Sequence, residues 1–565
     1  MFCCVGREHT ISAEGSSRSH DAHAKDLNDR LVEKILCAVG EIPEGGKSEF
    51  EVNGTKIVVI FDRGKYYGIG AYCPHLKGRL INGVYRNGFI RCPSHGAKYD
   101  VSTGDIEDFP TFNCLPTYKV FQRGNYVVVE TRESSLHSLA STDWTAAIPS
   151  SSNSPLQQTI IVIGTGPAGL TFVETLRKLG CTKKIEMITQ EFELPYDRTM
   201  LNKKYIANAT EGRLHDEEWY SRMNVEVRTN TRVLYINPKN KTLVLSNSSC
   251  MYYSKLFIAM GCVPRKLSVP GGKLANICYL RTMQDSVHLW NRAKGANVVC
   301  IGGSFIGMEA ASVLVGVAES VTVVCTTEEP LPAFGRDVGA ALRKYFDRKG
   351  IRVITRGRIE YLSGSEMGAV EAVHLVDGEI LPADCVVVGI GVHPDTDILQ
   401  TSGFPVSNNG YLIVDEEMRV EENIWAGGDM TQFPLALWNI PDAHIEHFQV
   451  AQKHGQIAAY SLMEQKCTKD IIPFFWGRFF DALSLKFSGR SGFNEDYLGT
   501  LLHGDLANFE FTKYYFKDDF VIGVASAGPS NAAVDFIDLF ARKIKVTRRE
   551  VEQNITDHWI DWRSS

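Results

Sequence analysis

Cys73 and His75, followed by Cys92 and His95, bring two thiols and two imidazoles into one short stretch, with sixteen residues between the pairs and a proline after each cysteine. Thiolate and imidazole together suit either zinc or a 2Fe-2S cluster. A zinc finger built from two cysteines and two histidines gathers like ligands at each knuckle. Here each knuckle supplies one of each, the arrangement needed when one iron takes both sulfurs and its neighbour takes both imidazoles.

Two further stretches carry dinucleotide chemistry. "TIIVIGTGPAGL" sets Gly164, Gly166 and Gly169 between an apolar strand and a helix, where they allow a tight turn and close approach of a pyrophosphate to the helix N-terminus. Glu191, after the strand "IEMIT", stands where an acid reads ribose hydroxyls. We read this stretch as an FAD site. "VVCIGGSFIGMEAA" repeats the pattern with Gly302, Gly303 and Gly307, but Ser304 fills the middle position, where its hydroxyl is a candidate phosphate contact. After the next strand the ribose-reading acid is replaced by Cys325, and no nearby Arg or Lys offers a clamp for a 2′-phosphate. The expected substrate is NAD(P)H, with NADH favoured over NADPH.

The elements that must hold these groups follow from periodicity. Residues 31–132 alternate short β segments ("KIVVIF", "YYGIG", "NYVVVE") with Gly turns, predicting a small all-β domain. Residues 1–30 read as a tail, and the Ser-rich 133–157 as a linker. Strand, Gly turn and helix then recur, predicting two doubly wound α/β units: an FAD unit split over 158–282 and 393–470, and an NAD(P)H unit at 283–392. Residues 471–565 read as a small α+β domain. A flexible linker of ~25 residues would give the β domain an effective concentration of roughly millimolar near the rest.

Bulk composition excludes several classes. A chain of 565 residues, 44% hydrophobic, needs several cores. A net charge of -6 argues against nucleic acid as a partner. Fourteen scattered cysteines without a signal peptide point to reduced thiols in an intracellular setting, with cytoplasm first and mitochondrial association second. No apolar run approaches the ~20 residues of a membrane span. Phe2 rules out myristoylation, which leaves Cys3 and Cys4 as candidate acyl sites for weak membrane association.

Several segments carry a family resemblance. "CPHLKG" and "CPSHGAKYD" resemble the two ligand loops of Rieske ferredoxins. High-potential members have a disulfide at the positions of Gly78 and Ser94 and a serine at Ala97; Tyr99 remains, so the resemblance implies a potential low in the Rieske range of about -150 to +300 mV. "LPYDRTMLNK" resembles the "PYxRxxLSK" segment of ferredoxin-reductase-like and apoptosis-inducing-factor-like flavoproteins, implying that Arg198 and Lys203 lie along FAD, with Lys203 near its reactive edge. "LFIAMGCVP", containing Gly261, and "NIWAGGDM", whose Asp429 matches the ribityl-binding aspartate, resemble two further family signatures. "GIGVHP", with Gly391, resembles the loop beneath the adenosine, and Glu309 matches a glutamate near the nicotinamide able to pair with Lys203. "HIEHFQVAQKHGQ" matches a segment close to the flavin; Phe448 fits either flavin contact or core packing.

In order and extent the chain resembles apoptosis-inducing-factor-like proteins with an N-terminal Rieske domain. The resemblance implies an oxidoreductase in which NAD(P)H reduces FAD and the fused cluster passes electrons to an acceptor protein or small molecule, in a monomer or homodimer. Related branches with a redox CxxxxC or CxxC differ from this chain, which has neither after Gly169 or in the NAD unit. Two other functions remain open: a death-signalling or scaffold protein whose cofactors are structural, and a reductase serving an external oxygenase.

Overall fold

Alternation along the strand Thr55–Asp62 decides how the N-terminal domain is built. Val58 and Ile60 face one core with Cys73, Cys92 and Tyr99, while Ile57 and Val59 face a second core with Val120, Val127 and Val129. The strand lies next to the edge of a six-stranded sheet ordered Leu31–Ala38, Tyr126–Arg132, Thr117–Arg123, Lys65–Gly70, Thr55–Asp62, Lys47–Val52. A smaller sheet of Val84–Arg86, Phe89–Arg91, Lys98–Asp100 and Ile106–Asp108 lies beyond it. Cys73 and His75 follow Lys65–Gly70, and Cys92 and His95 occupy the loop between Phe89–Arg91 and Lys98–Asp100. This computed structural model describes residues 29–137, 158–206, 209–467, 470–490 and 499–553. Cys3, Cys4 and the predicted linker from residue 138 onward lie outside them.

Ile160–Ile163 and Ile185–Ile188 are buried along their whole length, as parallel strands covered by helices on both faces must be. They belong to a sheet ordered Val225–Arg228, Ile185–Ile188, Ile160–Ile163, Lys255–Ile258, Ile424–Ala426, with Arg419–Glu421 antiparallel at its edge. The fourth and fifth strands come from either side of a second doubly wound unit, whose sheet runs Ile277–Tyr279, Cys385–Val388, Asn297–Ile301, Ser320–Val324, Ile351–Ile354. Ile277–Tyr279, assigned by sequence to the flavin half, pairs instead with Cys385–Val388, so the nicotinamide unit begins before residue 283. Two short strands, Cys262–Pro264 and Val392–Pro394, pair with each other where the chain leaves the flavin unit and returns to it. The C-terminal part is a five-stranded antiparallel sheet, Phe474–Phe479, Leu483–Gly489, Phe520–Ala527, Glu510–Lys517, Thr500–Asp505, backed by the helix Ala532–Ala541. The fold class is the one expected: an all-β domain, two doubly wound units and an α+β terminus. Among the described residues no helix is long and apolar enough to cross a membrane.

The β domain is docked instead of loosely tethered. Arg91, only 4% exposed in its side chain, forms a two-pronged ion pair with Asp538 of the C-terminal helix (Nη2 to Oδ1 2.7 Å, Nε to Oδ2 3.2 Å) and meets Asp108 at 3.0 Å. Lys453 reaches the same Asp108 at 2.8 Å. Gln449 donates to the carbonyls of His95 (3.1 Å) and Phe109 (3.0 Å), Gln452 to that of Pro110 (3.2 Å), and Lys486 to that of Pro93 (2.9 Å). Removing one partner of a buried pair strands the others, so Arg91→Ala is expected to cost the docked state about 3–5 kcal/mol. Small-angle scattering and limited proteolysis should then show a released β domain at unchanged flavin content.

Candidate functional site

The two ligand loops are built alike. Lys77 N–H donates to Cys73 O (2.9 Å) and Cys73 N–H to Gly78 O (2.9 Å); Gly96 N–H donates to Cys92 O (3.1 Å) and Cys92 N–H to Ala97 O (2.7 Å). Lys77 and Gly96 have φ of 54° and 76°, the left-handed turn that closes each loop. The cysteine side chains lie within hydrogen-bond reach of each other, and Tyr99 hydroxyl reaches Cys73 Sγ at 3.1 Å. The Cys73 contact and N–H groups of Ser94 and His95 pull the Cys92 thiol down in pKa. His75 and His95 bring their Nδ1 atoms to 3.1 Å with rings at 82°. Burial pushes His75 down to about 4 and His95 well below its ordinary value, keeping both in the neutral, ligating form.

Among the described residues no three Cys, His, Asp or Glu converge on one ion. The thiols pair with each other and the imidazoles with each other, the like-with-like grouping that two irons of a 2Fe-2S cluster would take. A Cβ at Gly78 would lie 3.2 Å from Ser94 Cβ and 2.9 Å from Cys92 Sγ. The loops thus touch where a disulfide would join them in high-potential relatives, and these residues cannot form one.

In the flavin unit, a Cβ on Gly164 would run into Ala259 O and one on Gly169 into Gly164 O. Gly166 has ordinary extended backbone (φ -74°) and open space around it, the nearest atom to its Cβ position being Arg198 Nε at 3.9 Å. That opening at the N-terminus of Pro167–Lys178 is the cradle a pyrophosphate needs. Glu191 accepts from Tyr196 hydroxyl at 2.6 Å and pairs with Arg198, which also donates to Arg281 O at 2.9 Å. Arg281 packs on Gly261 and stands 3.9 Å from Asp429, whose carboxyl is pushed up by burial. Glu191, Arg198, Gly261 and Asp429 are therefore brought together around Arg281. Phe448 starts the helix Phe448–Leu462 and, half-buried, packs against the apolar core, a placement compatible with both of its expected roles.

His454, fully buried on that helix, accepts the Gly428 N–H through Nδ1 at 3.2 Å, and burial pushes its pKa down to about 3. Below pH 6.5 the unfolded chain binds a proton that the folded chain refuses, so stability falls as pH drops from 6.5 toward 3. At pH 5 this one group is expected to cost about 2 kcal/mol. His454→Gln, whose amide oxygen can take the Gly428 N–H, should remove that part of the loss in urea midpoints compared at pH 7 and pH 5.

Lys203 and Glu309 meet as expected, Nζ to Oε2 2.8 Å, across the two doubly wound units. Glu309 is buried and also accepts from Asn202 Nδ2 (2.7 Å) and the N–H of Arg478 (2.9 Å). In the nicotinamide unit Gly302 and Gly307 repeat the close approaches of Gly164 and Gly169. Ser304 shares the extended backbone of Gly166 (φ -89°), which explains why a side chain is tolerated there. Its hydroxyl donates to Gly389 O at 3.2 Å. Gly391 (φ 97°) follows Cys385–Val388 and accepts the Arg265 N–H at 3.0 Å. The absence of cations near Cys325 is also corrected: Arg336 and Arg356 both reach Glu328, three residues on.

Sequence reasoning missed Trp476. Its ring centre lies 4.0 Å from that of His95 and 6.1 Å from that of His75, and Lys203 Nζ lies 5.2 Å from it. The same strand, Phe474–Phe479, supplies the Arg478 N–H to Glu309. The run "PFFWGRFF" was legible only as the start of a domain, because nothing in its spacing says which aromatic faces the histidines.

A dinucleotide groove, a buried Lys–Glu pair and a docked cluster domain define a flavoprotein reductase with its own iron-sulfur carrier. Comparison with known proteins matches residues 158–455 to the pyridine nucleotide-disulphide oxidoreductase family and residues 33–119 to the Rieske 2Fe-2S domain. Human apoptosis-inducing factor 3 is 32% identical over 524 residues, covering 92% of this chain and 86% of the relative. Rubredoxin-NAD(+) reductase of Ectopseudomonas oleovorans is 30% identical over 323 residues, 56% of this chain and 83% of that one. The crystal structure of the covalent putidaredoxin reductase–putidaredoxin complex matches with a TM-score of 0.65 at 26% identity, covering 69% of this chain and 95% of that chain. The chain belongs to the pyridine nucleotide-disulphide oxidoreductase family, in the Rieske-bearing group that includes apoptosis-inducing factor 3. It is an NAD(P)H-dependent oxidoreductase whose cofactors are FAD and a Rieske 2Fe-2S cluster.

Proposed function

We propose that the chain passes electrons from NAD(P)H to its own Rieske domain and from there to an acceptor outside the chain. FAD supplies hydride acceptance and the 2Fe-2S cluster single-electron transfer. The residues set where these groups sit. Glu191, Arg198, Arg281 and Asp429 hold the FAD groove, Cys73, Cys92, His75 and His95 hold the cluster, and Gly302, Gly307 and Gly391 open the nicotinamide site. Lys203, fixed by Glu309, keeps a positive charge beside the flavin position, where it favours an anionic product. The observation that carries this reading is Trp476, one indole in contact range of both His95 and Lys203.

In the solved putidaredoxin complex, reductase and partner are distinct proteins; we read the Rieske domain here as a built-in counterpart held by Arg91, Gln449 and Lys486. Anaerobic titration with NADH, followed by visible and low-temperature EPR spectra, tests this. Flavin bleaching followed by a rhombic Rieske signal at a potential low in the about -150 to +300 mV range is expected. Flavin bleaching without any cluster signal, with zinc in place of iron, overturns it.

A further inference from the structure

Cys325 follows the strand Ser320–Val324 of the nicotinamide sheet, where this fold reads the 2′ position of the adenosine ribose. A thiol pushed up in pKa by burial and packed on Gly303 is a poor reader of a hydroxyl. Just beyond it, Glu328 is gripped from two sides. Arg356 Nη2 donates to its Oε1 at 2.5 Å, and Arg336 Nε lies 2.6 Å from its Oε2. Arg356 comes from the turn after the neighbouring strand Ile351–Ile354, which is laced to the segment after Ser320–Val324: Arg356 N–H donates to Thr327 O at 2.9 Å and Gly357 N–H to Cys325 O at 3.0 Å. Arg356 holds a left-handed backbone (φ 55°) at that point. Glu329, by contrast, is engaged by both prongs of Arg343 at 2.9 Å.

Two guanidiniums around one anion at this place is the arrangement a 2′-phosphate requires, and here a side-chain carboxylate already occupies it. We propose that Glu328 is the 2′ reader of this chain and an internal stand-in for a 2′-phosphate, so that the protein uses NADH while retaining a latent NADPH site formed by Arg336 and Arg356. Each Glu328 oxygen spends one lone pair on an arginine and keeps another for a ribose hydroxyl. A 2′-phosphate brought to the same arginines meets the carboxylate as a like charge. With the carboxylate removed, the arginine pair is free to bind the phosphate. The proposal rests on the NAD(P)H-oxidising reading above and deepens it.

The test uses the full-length, cofactor-loaded protein and measures kcat/KM for NADH and NADPH in the wild type, in Glu328→Ala, and in Glu328→Ala combined with Arg356→Ala. The wild type is expected to favour NADH. Glu328→Ala is expected to move the NADPH-to-NADH ratio at least about tenfold toward NADPH, mainly through the KM for NADPH, and adding Arg356→Ala to return most of that shift. All three residues are surface side chains, and flavin content checks that the fold is intact. A ratio unmoved in Glu328→Ala, or a wild type that already prefers NADPH, overturns the proposal while leaving the oxidoreductase reading in place. Failure of either nucleotide to reduce the wild-type flavin sinks both.

Discussion

A His95→Ala protein is expected to accept electrons from NADH into its flavin and to deliver none of them past it. His95 supplies one of two Nδ1 atoms that face each other at 3.1 Å, and nothing nearby can replace it, because the ring beside it on the C-terminal domain is the indole of Trp476. The loop itself should survive, since its turn is held by main-chain bonds from Gly96 to Cys92 and from Cys92 to Ala97, and the docking bond from Gln449 goes to the His95 carbonyl. Changes to groups that merely orient metal ligands cost about 10–100-fold, so losing a ligand should cost more. Iron and sulfide analysis and EPR should show the cluster gone, NADH-driven reduction of a small artificial acceptor such as ferricyanide should persist, and reduction of any acceptor that depends on the cluster should fall by more than about 100-fold. A scaffold or death-signalling role with purely structural cofactors would be retained in this variant if the domain stays folded. Full cluster-dependent turnover in a folded, cluster-free His95→Ala protein would rule out the electron-transfer reading.

The parts of the site legible in the sequence are those whose chemistry depends on residues close along the chain. Each ligand loop of the Rieske domain contains one thiol and one imidazole within four residues, so residue type and spacing were enough. Gly164 and Gly302 are demanded by the positive φ of their turns, and Gly169 and Gly307 by close approach to the carbonyls of Gly164 and Gly302 five residues earlier. The Gly389 carbonyl as partner of the Ser304 hydroxyl was not legible, because it is 85 residues away and is brought near by the parallel pairing of Asn297–Ile301 with Cys385–Val388. Arg356 was missed for the same reason: it lies in the turn after Ile351–Ile354, the strand paired with Ser320–Val324, a distance invisible to a search of the few residues after Cys325. The docked interface was harder still. Arg91 and Asp538 are 447 residues apart, and no local pattern marks either as a buried ion pair. Strand and helix formation follow short-range rules, whereas the meeting of domains depends on surfaces assembled from several segments.

Trp476→Ala is expected to separate the two halves of the reaction without removing either cofactor site. The indole lies against His95 and within 5.2 Å of Lys203, so alanine would leave open space where the two sites now meet. Its strand would stay in place, since Phe474 and Phe479 on either side are buried in the C-terminal domain and Gly477 packs on Phe305. The Arg478 N–H to Glu309 bond is main chain on one side and should persist, leaving the Lys203–Glu309 pair intact. Flavin reduction by NADH should therefore keep its rate, while appearance of the cluster signal in rapid-mixing experiments slows by about 10–100-fold, the range typical of positional losses near reacting centres. Trp476→Phe, which restores an aromatic filling of the gap, should recover most of that rate. If both variants reduce the cluster as fast as the wild type, contact through this side chain does not set the transfer, and the route from flavin to cluster must pass through the surrounding main chain of the His75 and His95 loops.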